Sequence, residues 1–307
     1  MEWSGKPWNS FDASMRQRFG RKVIRLSVDG GMTCPNRDGT LSFDGCLFCS
    51  SESQRPGGII LPVEQQLEQR RMELLVKWPD GMYIAYFQSF SNTYGDLNVL
   101  QELYERALAV PGIEGLAIAT RPDCLNSDTI ELLAEMGTRV PLWVELGLQT
   151  IHDSTAERIG RGYDWQLFMR VYEKLKVVGI ASVIHLINGL PGETREMMMD
   201  SAREVGRLET EGLKLHLLHV MRNTGLAPLY QSGDFVPMEM GPYIQLICDQ
   251  LEWIPKQTAI HRLTGDGDRR WLLAPLWSSN KKAVLNGIFK EMRARNSWQG
   301  KCLEGLK

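Results

Sequence analysis

The chain alternates between two hydrophobic patterns. Short runs with no polar alternation stand at Val23 to Val28, Met82 to Phe87, Leu116 to Ala119, Leu142 to Leu146, Ser182 to Ile187 and Leu213 to Val220. Between them lie stretches with apolar residues at three- and four-residue intervals. Pro62 opens one, with Val63, Leu67, Leu74, Leu75 and Trp78 along one face, and the next places Leu100, Leu103, Tyr104, Ala107 and Leu108 at i, i+3, i+4, i+7 and i+8. Others run near Ser127 to Met136, Trp165 to Val178 and Arg195 to Leu208. Runs of the first kind read as strands buried on both faces, and the second kind as amphipathic helices that cover them. Six strands with five helices between them predict an α/β fold: a parallel sheet wound by right-handed crossovers into a partial (β/α)6 barrel, TIM-like but short of the closed eightfold form. Its active mouth would lie at the C-terminal strand ends.

After Val220 the pattern changes. A Gly- and Pro-bearing stretch, MRNTGLAPLYQSGDF, precedes a helix carrying Ile244, Ile247, Cys248 and Leu251, a short strand near Ala259 to Leu263, and a last helix through Val284, Leu285, Ile288, Phe289 and Met292. The expected division is an N-terminal extension over 1–20, the partial barrel over 21–230 and a small basic α/β extension over 231–307.

Composition narrows the picture only slightly. With 307 residues, 43% apolar and 23% charged, the chain has ample material for a core. The sequence MEWSGKPWNS has no signal-like apolar core, and no later run is long enough to span a bilayer, so a cytoplasmic protein with no membrane association is expected. The net charge of -2 hides an asymmetry: Lys256 to Lys307 holds eleven Lys and Arg against four Asp and Glu. A polyanion partner or an ordinary solvated surface would each account for that.

The candidate chemistry sits in CPNRDGTLSFDGCLFCS, Cys34 to Ser50, with three of the six cysteines spaced C-x11-C-x2-C. In a reducing compartment such a cluster points to metal or redox chemistry. A structural zinc needs four closed ligands, whereas an iron–sulfur cubane tolerates three protein thiolates and leaves one iron open. A zinc site or plain thiols remain the alternatives.

A strand leading into clustered cysteines with an aromatic before the last, Cys46-Leu47-Phe48-Cys49, resembles the radical S-adenosylmethionine (SAM) superfamily. The first gap of eleven residues, where three is usual, is similar to the subgroup related to the Elongator catalytic subunit. TRPDC at Thr120 to Cys124 resembles that subgroup too, while further positions are similar to oxygen-independent coproporphyrinogen oxidase. The resemblance implies a [4Fe-4S] cluster on Cys34, Cys46 and Cys49, and S-adenosyl-L-methionine chelated at the open iron. It also implies a one-electron donor such as flavodoxin or ferredoxin. Implied cofactor contacts are Glu145, Gln149 and Arg161 from WVELGLQT and ERIGRGYD, His185, and Gly189 and Pro191 in NGLPGET. Against these stand an internal Glu–Arg pair bracing the barrel, a core histidine, and a simple helix start with Thr194 as N-cap. The loop QSFSNTYGD departs from the family's Gly-Gly-Glu segment; Gln88, Ser89, Ser91, Asn92 and Thr93 could hold the methionine ammonium instead, and Tyr94 and Arg121 are candidate catalytic residues. That loop could equally just cap the next helix, and Arg121 could pair with a nearby acid. Cys124 and Cys248 read as core.

Relatives in the Elongator-like group modify wobble uridines of tRNA. The expected partner is therefore tRNA, held by Arg269, Arg270, Trp271, Trp277, Lys281, Lys282, Lys290, Arg293, Arg295 and Trp298. Arg16, Arg18, Arg21, Lys22 and Arg25 would complete a basic rim if the two chain ends adjoin at the mouth. A radical enzyme acting on a porphyrin or other small molecule, and a non-catalytic metal-stabilised RNA-binding module, are the rival readings.

Overall fold

A computed structural model describes residues 3–50, 60–265 and 267–304. Seven parallel strands form one curled sheet: β1 (Val23–Val28), β2 (Met82–Phe87), β3 (Ile113–Thr120), β4 (Leu142–Gln149), β5 (Ala181–Asn188), β6 (Gly212–Leu217) and β8 (Ala259–Arg262), neighbours in that order. The half-barrel is as the apolar runs predict, except at its far edge. There β8, from the C-terminal segment, is the seventh strand of the same sheet rather than part of a separate layer.

The run ending at Val220 also divides. Its last residues form β7 (Val220–Met221), antiparallel to β9 (Leu272–Ala274) in a two-stranded sheet beyond the mouth. Continuous hydrophobicity hid this break, because both pieces are buried.

The outer face is covered by α2 (Val63–Leu75), α3 (Leu97–Leu108), α4 (Ser127–Arg139), α6 (Trp165–Val177), α7 (Arg195–Arg207) and α9 (Met240–Glu252), with α10 (Lys281–Ala294) packed on α9 through Val284, Ile288 and Met292. Two short helices, α5 (Asp153–Arg158) and α8 (Leu226–Ser232), lie near the mouth. Asp96, Asn126, Asp164 and Thr194 cap their helices with side-chain oxygens, each contributing about 1 kcal/mol.

The inner face has three levels. At the N-terminal strand ends an apolar plug is made by Val23, Met82, Ile84, Ala117, Trp143 and Val183 with Met15 of α1 (Phe11–Phe19). The sheet is open between β1 and β8, and the N-terminal segment crosses that gap: Ser10 bridges Ile260, and Ile260 N donates to Asn9 O at 2.7 Å. Above the plug lies a belt of charged side chains, and above the belt the cavity opens. Among the described residues, no helix is long and apolar enough to cross a membrane.

Candidate active site

Cys34, Cys46 and Cys49 line one cavity of about 420 Å³ at the C-terminal strand ends. Their loop is a chain of turns rather than a loose insert. Cys49 N donates to Cys46 O at 2.8 Å, Gly45 N to Asn36 O at 2.7 Å, and Arg37 Nη2 to Cys49 O at 2.5 Å. Leu47 ties the loop to both sides of the mouth, donating to Ile159 O and accepting from Leu226 N. Burial pushes the Cys46 thiol up to about 11, with Cys49 adding to the shift, while Arg121 and the Asn36 hydrogen bond pull the other way. Burial likewise raises Cys49, against the charge of Arg37. The charges of Cys49 and Cys34 add to the rise at Cys46, and that of Cys34 to the rise at Cys49.

Among the described residues no three His, Cys, Asp or Glu close around a single ion. The trio shares one cavity, and three thiolates alone are one short of the four ligands a structural zinc takes. A cluster with one sulfur per iron fits this donor set: three soft ligands, one open side toward the cavity, and cationic Arg121 nearby to offset charge.

Of the remaining residues singled out in the sequence, Gln88, Arg121, Glu145, Gln149, Arg161 and His185 line the cavity; Ser89, Tyr94, Gly189 and Pro191 are not in its lining. Tyr94 instead shares a hydrogen bond with Thr40 of the cysteine loop at 2.9 Å. The NGLPGET turn is a helix start: Gly189 takes φ +88°, Pro191 O accepts from Arg158, and Thr194 caps α7. In QSFSNTYGD, Gln88 and Ser91 reach the cavity, but Asn92 and Thr93 are spent joining β2 to β3, donating to Phe87 O, Ala119 O and Cys124 O. Arg121 is held by Asp123 through Nε at 2.9 Å and Nη2 at 2.6 Å, with Nη1 3.9 Å from Cys34 Sγ. The nearby acid has it, yet its charge still faces the sulfurs. Cys124 is buried, does not line the cavity, and is pushed up to about 12 by burial.

Glu145 departs most from expectation. Its two oxygens are taken by Arg25 Nη1 at 2.7 Å, Tyr86 OH at 2.6 Å, His185 Nε2 at 3.1 Å and Lys214 Nζ. The bracing role belongs to Glu145, with Arg25 and Lys214 as partners instead of Arg161. Arg161 is 1% exposed and bound to backbone, Nη1 to Leu148 O and Thr150 O, both at 2.6 Å, and Nε to Tyr163 O at 2.9 Å. Burial favours the neutral forms throughout the belt. It would raise Glu145, but Lys214, His185 and Arg25 hold that carboxylate well below its usual range. It draws Lys214 down to about 7 despite Glu145, and His185 to about 4.

His185 gives a pH prediction. An unfolded imidazole takes its proton near pH 6.5 and the folded one only near 4, so across that window the unfolded state binds more protons and stability falls as pH falls. The loss is about 3 kcal/mol by pH 4. His185→Gln should lessen the slope between pH 6.5 and 4 in urea titrations, the share of His216 and His261 remaining, and an unchanged slope would refute this.

Lys214, His216 and Tyr86 are the residues that sequence reasoning missed. LKLHL held the signal, since strand alternation puts Lys214 and His216 on the face that Gly212 shares. Nε2 of His216 is buried without a hydrogen-bond partner and its ring lies 5.2 Å from that of His185.

Phe90 at φ +61° and Gln149 at φ +64°, non-glycine residues with left-handed backbone, both line the cavity. A Cβ on Gly147 would sit 2.6 Å from Gln149 Nε2, the free end of a flexible side chain. Gly147→Ala should therefore fold normally but displace the Gln149 amide. Where Gln149 contacts SAM, as the resemblance implies, calorimetry on the reconstituted protein should show affinity weakened about tenfold, the equivalent of one hydrogen bond.

The basic rim is only partly assembled. Arg16 and Lys22 pair with Asp12, Arg21 with Glu114, and Arg25 is inside the belt; these positions adjoin the start of β1, at the end opposite the cysteines. At the mouth itself, Gly265, Gly267 and Asp268 line the cavity and exposed Arg269 and Arg270 follow directly. Trp277 is turned inward, donating to Met238 O.

Comparison with known proteins agrees with this geometry. Residues 34–205 match the Radical SAM superfamily model and residues 210–294 the Radical SAM C-terminal domain. YtqA of Bacillus subtilis is 43% identical over 98% of this chain and 94% of its own length, and YhcC of Escherichia coli K12 is 34% identical over 89% and 88%. Elongator complex protein 3 of Schizosaccharomyces pombe is 30% identical over 50% of this chain, which spans 28% of that protein. Among solved structures, the archaeal Methanocaldococcus infernus Elp3 superposes with a TM-score of 0.69 at 18% identity, covering 90% of this chain and 64% of that one. With three cysteines gathered at the mouth of a parallel half-barrel and the family match beginning at the first of them, the chain belongs to the radical SAM superfamily.

Proposed function

We propose that this chain is a radical SAM enzyme that modifies the side chain of a tRNA wobble uridine. The observation that carries the enzymatic part is the convergence of Cys34, Cys46 and Cys49 on a cavity whose opposite wall is a charged belt. A cluster held by Cys34, Cys46 and Cys49 would supply one-electron reductive cleavage of SAM, releasing methionine and providing the reactivity to take hydrogen from an unactivated carbon. The chain's own residues hold and shield the reactants. Gln88, Gln149 and Ser91 offer hydrogen-bond partners at the rim, Phe48 and Phe90 exclude water, and the plug with α1 closes the floor.

The RNA part is supported by Arg269 and Arg270 beside the opening and by the similarity to Elongator complex protein 3. Lys282, Lys290 and Arg293 on the exposed face of α10 add charge on the same segment of chain. Two measurements test the reading: SAM cleavage by the anaerobically reconstituted, reduced protein, and nucleoside analysis of tRNA from cells lacking the gene. Cleavage with an unchanged tRNA profile would leave a radical enzyme of another substrate, such as a porphyrin. Salt-sensitive tRNA binding without cleavage would leave an RNA-binding module.

A further inference from the structure

Asn36 lies in the eleven-residue gap between the first two cysteines and is 2% exposed. Its side-chain nitrogen is 2.7 Å from Gly160 O, 3.3 Å from Arg161 O and 3.2 Å from Cys46 Sγ. Both backbone oxygens can only accept, so they fix which end of the amide is nitrogen. One N–H is held by Gly160 O, and the other is shared between the Cys46 sulfur at 3.2 Å and the slightly longer contact to Arg161 O. The site is built to admit this side chain: at Gly162, φ +85°, a Cβ would lie 3.2 Å from Asn36 Oδ1 and 3.2 Å from Arg121 Nη2. Burial keeps water from substituting for the donor.

We infer that Asn36 donates a hydrogen bond to the Cys46 thiolate of the bound cluster and thereby raises its reduction potential, which gives the long first gap a function. The inference rests on the reading that the three cysteines carry a cluster. When a one-electron donor of the flavodoxin or ferredoxin class reduces the cluster, the added negative charge spreads onto the thiolates. A fixed N–H therefore stabilises the reduced form more than the oxidised one. Asn36 is a positioning residue: it touches a ligand sulfur and no substrate atom.

The test uses the full chain, reconstituted anaerobically, with midpoints read by EPR at set potentials. Asn36→Ala should bind the same iron but, at the wild-type midpoint, show a reduced-to-oxidised ratio about tenfold lower, a shift of about 59 mV to more negative potential for one electron. Equal iron with an unmoved midpoint would overturn the inference. Should Asn36→Ala fail to take up iron, wild-type protein grown with 15N-asparagine decides by pulsed EPR. A nitrogen coupling to the reduced cluster that changes with the isotope supports the bond, and its absence overturns it. Wild-type protein that binds no iron would instead sink the cluster reading itself.

Discussion

Replacing any one of Cys34, Cys46 or Cys49 by serine is expected to abolish SAM cleavage and to strip the reconstituted protein of iron. On the proposed reading the three thiolates are the cluster's protein ligands, so two would not hold a cubane against loss, and a serine hydroxyl is too hard a ligand to replace the third. Folding should survive, because these sulfurs lie at the cavity wall and the loop is held by backbone bonds from Gly45, Leu47 and Cys49 that a serine leaves intact. Circular dichroism should match the parent while iron per chain falls to background. The controls are the other three cysteines: Cys124 and Cys248 are buried away from the cavity and Cys302 lies beside Glu252, so serine there should leave iron content unchanged. Iron retained in the Cys34, Cys46 and Cys49 variants would refute the assignment.

Glu145→Ala should be the most destabilising change in the belt. It removes the carboxylate that Arg25, Lys214 and His185 share and leaves half-buried Arg25 and buried Lys214 without their counter-charge. Breaking a buried ion pair by deleting one partner costs about 3–5 kcal/mol, much of it the price of the charge left behind. Lys214→Met should cost less, since Arg25, Tyr86 and His185 continue to satisfy the carboxylate. The double variant Glu145→Ala/Lys214→Met should be more stable than Glu145→Ala alone, because the second change removes an unpaired charge. Urea midpoints of the four proteins give the coupling directly. Additive losses would mean that the pair carries no interaction of its own.

Much of the architecture was legible because each buried strand is written as a local run and each covering helix as a local period. MYIAYF and the spacing around Leu100 and Tyr104 need no distant information. The cysteine trio was legible for the same reason, all three lying within seventeen positions. The belt was not. Arg25 meets Glu145 across 120 residues and Lys214 meets it across 69, so the sequence displayed the alternation but not the partner. The sequence offers Glu145 as a cofactor contact or half of an internal Glu–Arg pair and Arg25 as part of a basic rim, and only the fold shows that the two meet. The division of the run at Leu218 escaped notice because hydrophobicity reports burial and not direction. That β8 extends the main sheet depends on the sheet's open edge, which no local pattern encodes.

The N-terminal helix beneath the barrel has a further consequence. A half-open sheet would otherwise offer two doorways, and a vessel meant to confine an indiscriminate oxidising fragment works best with one. Because α1 and the stretch across the β1 to β8 gap cover the rear, the cavity among the described residues lies at the C-terminal strand ends, with Arg269 following its lining residue Asp268.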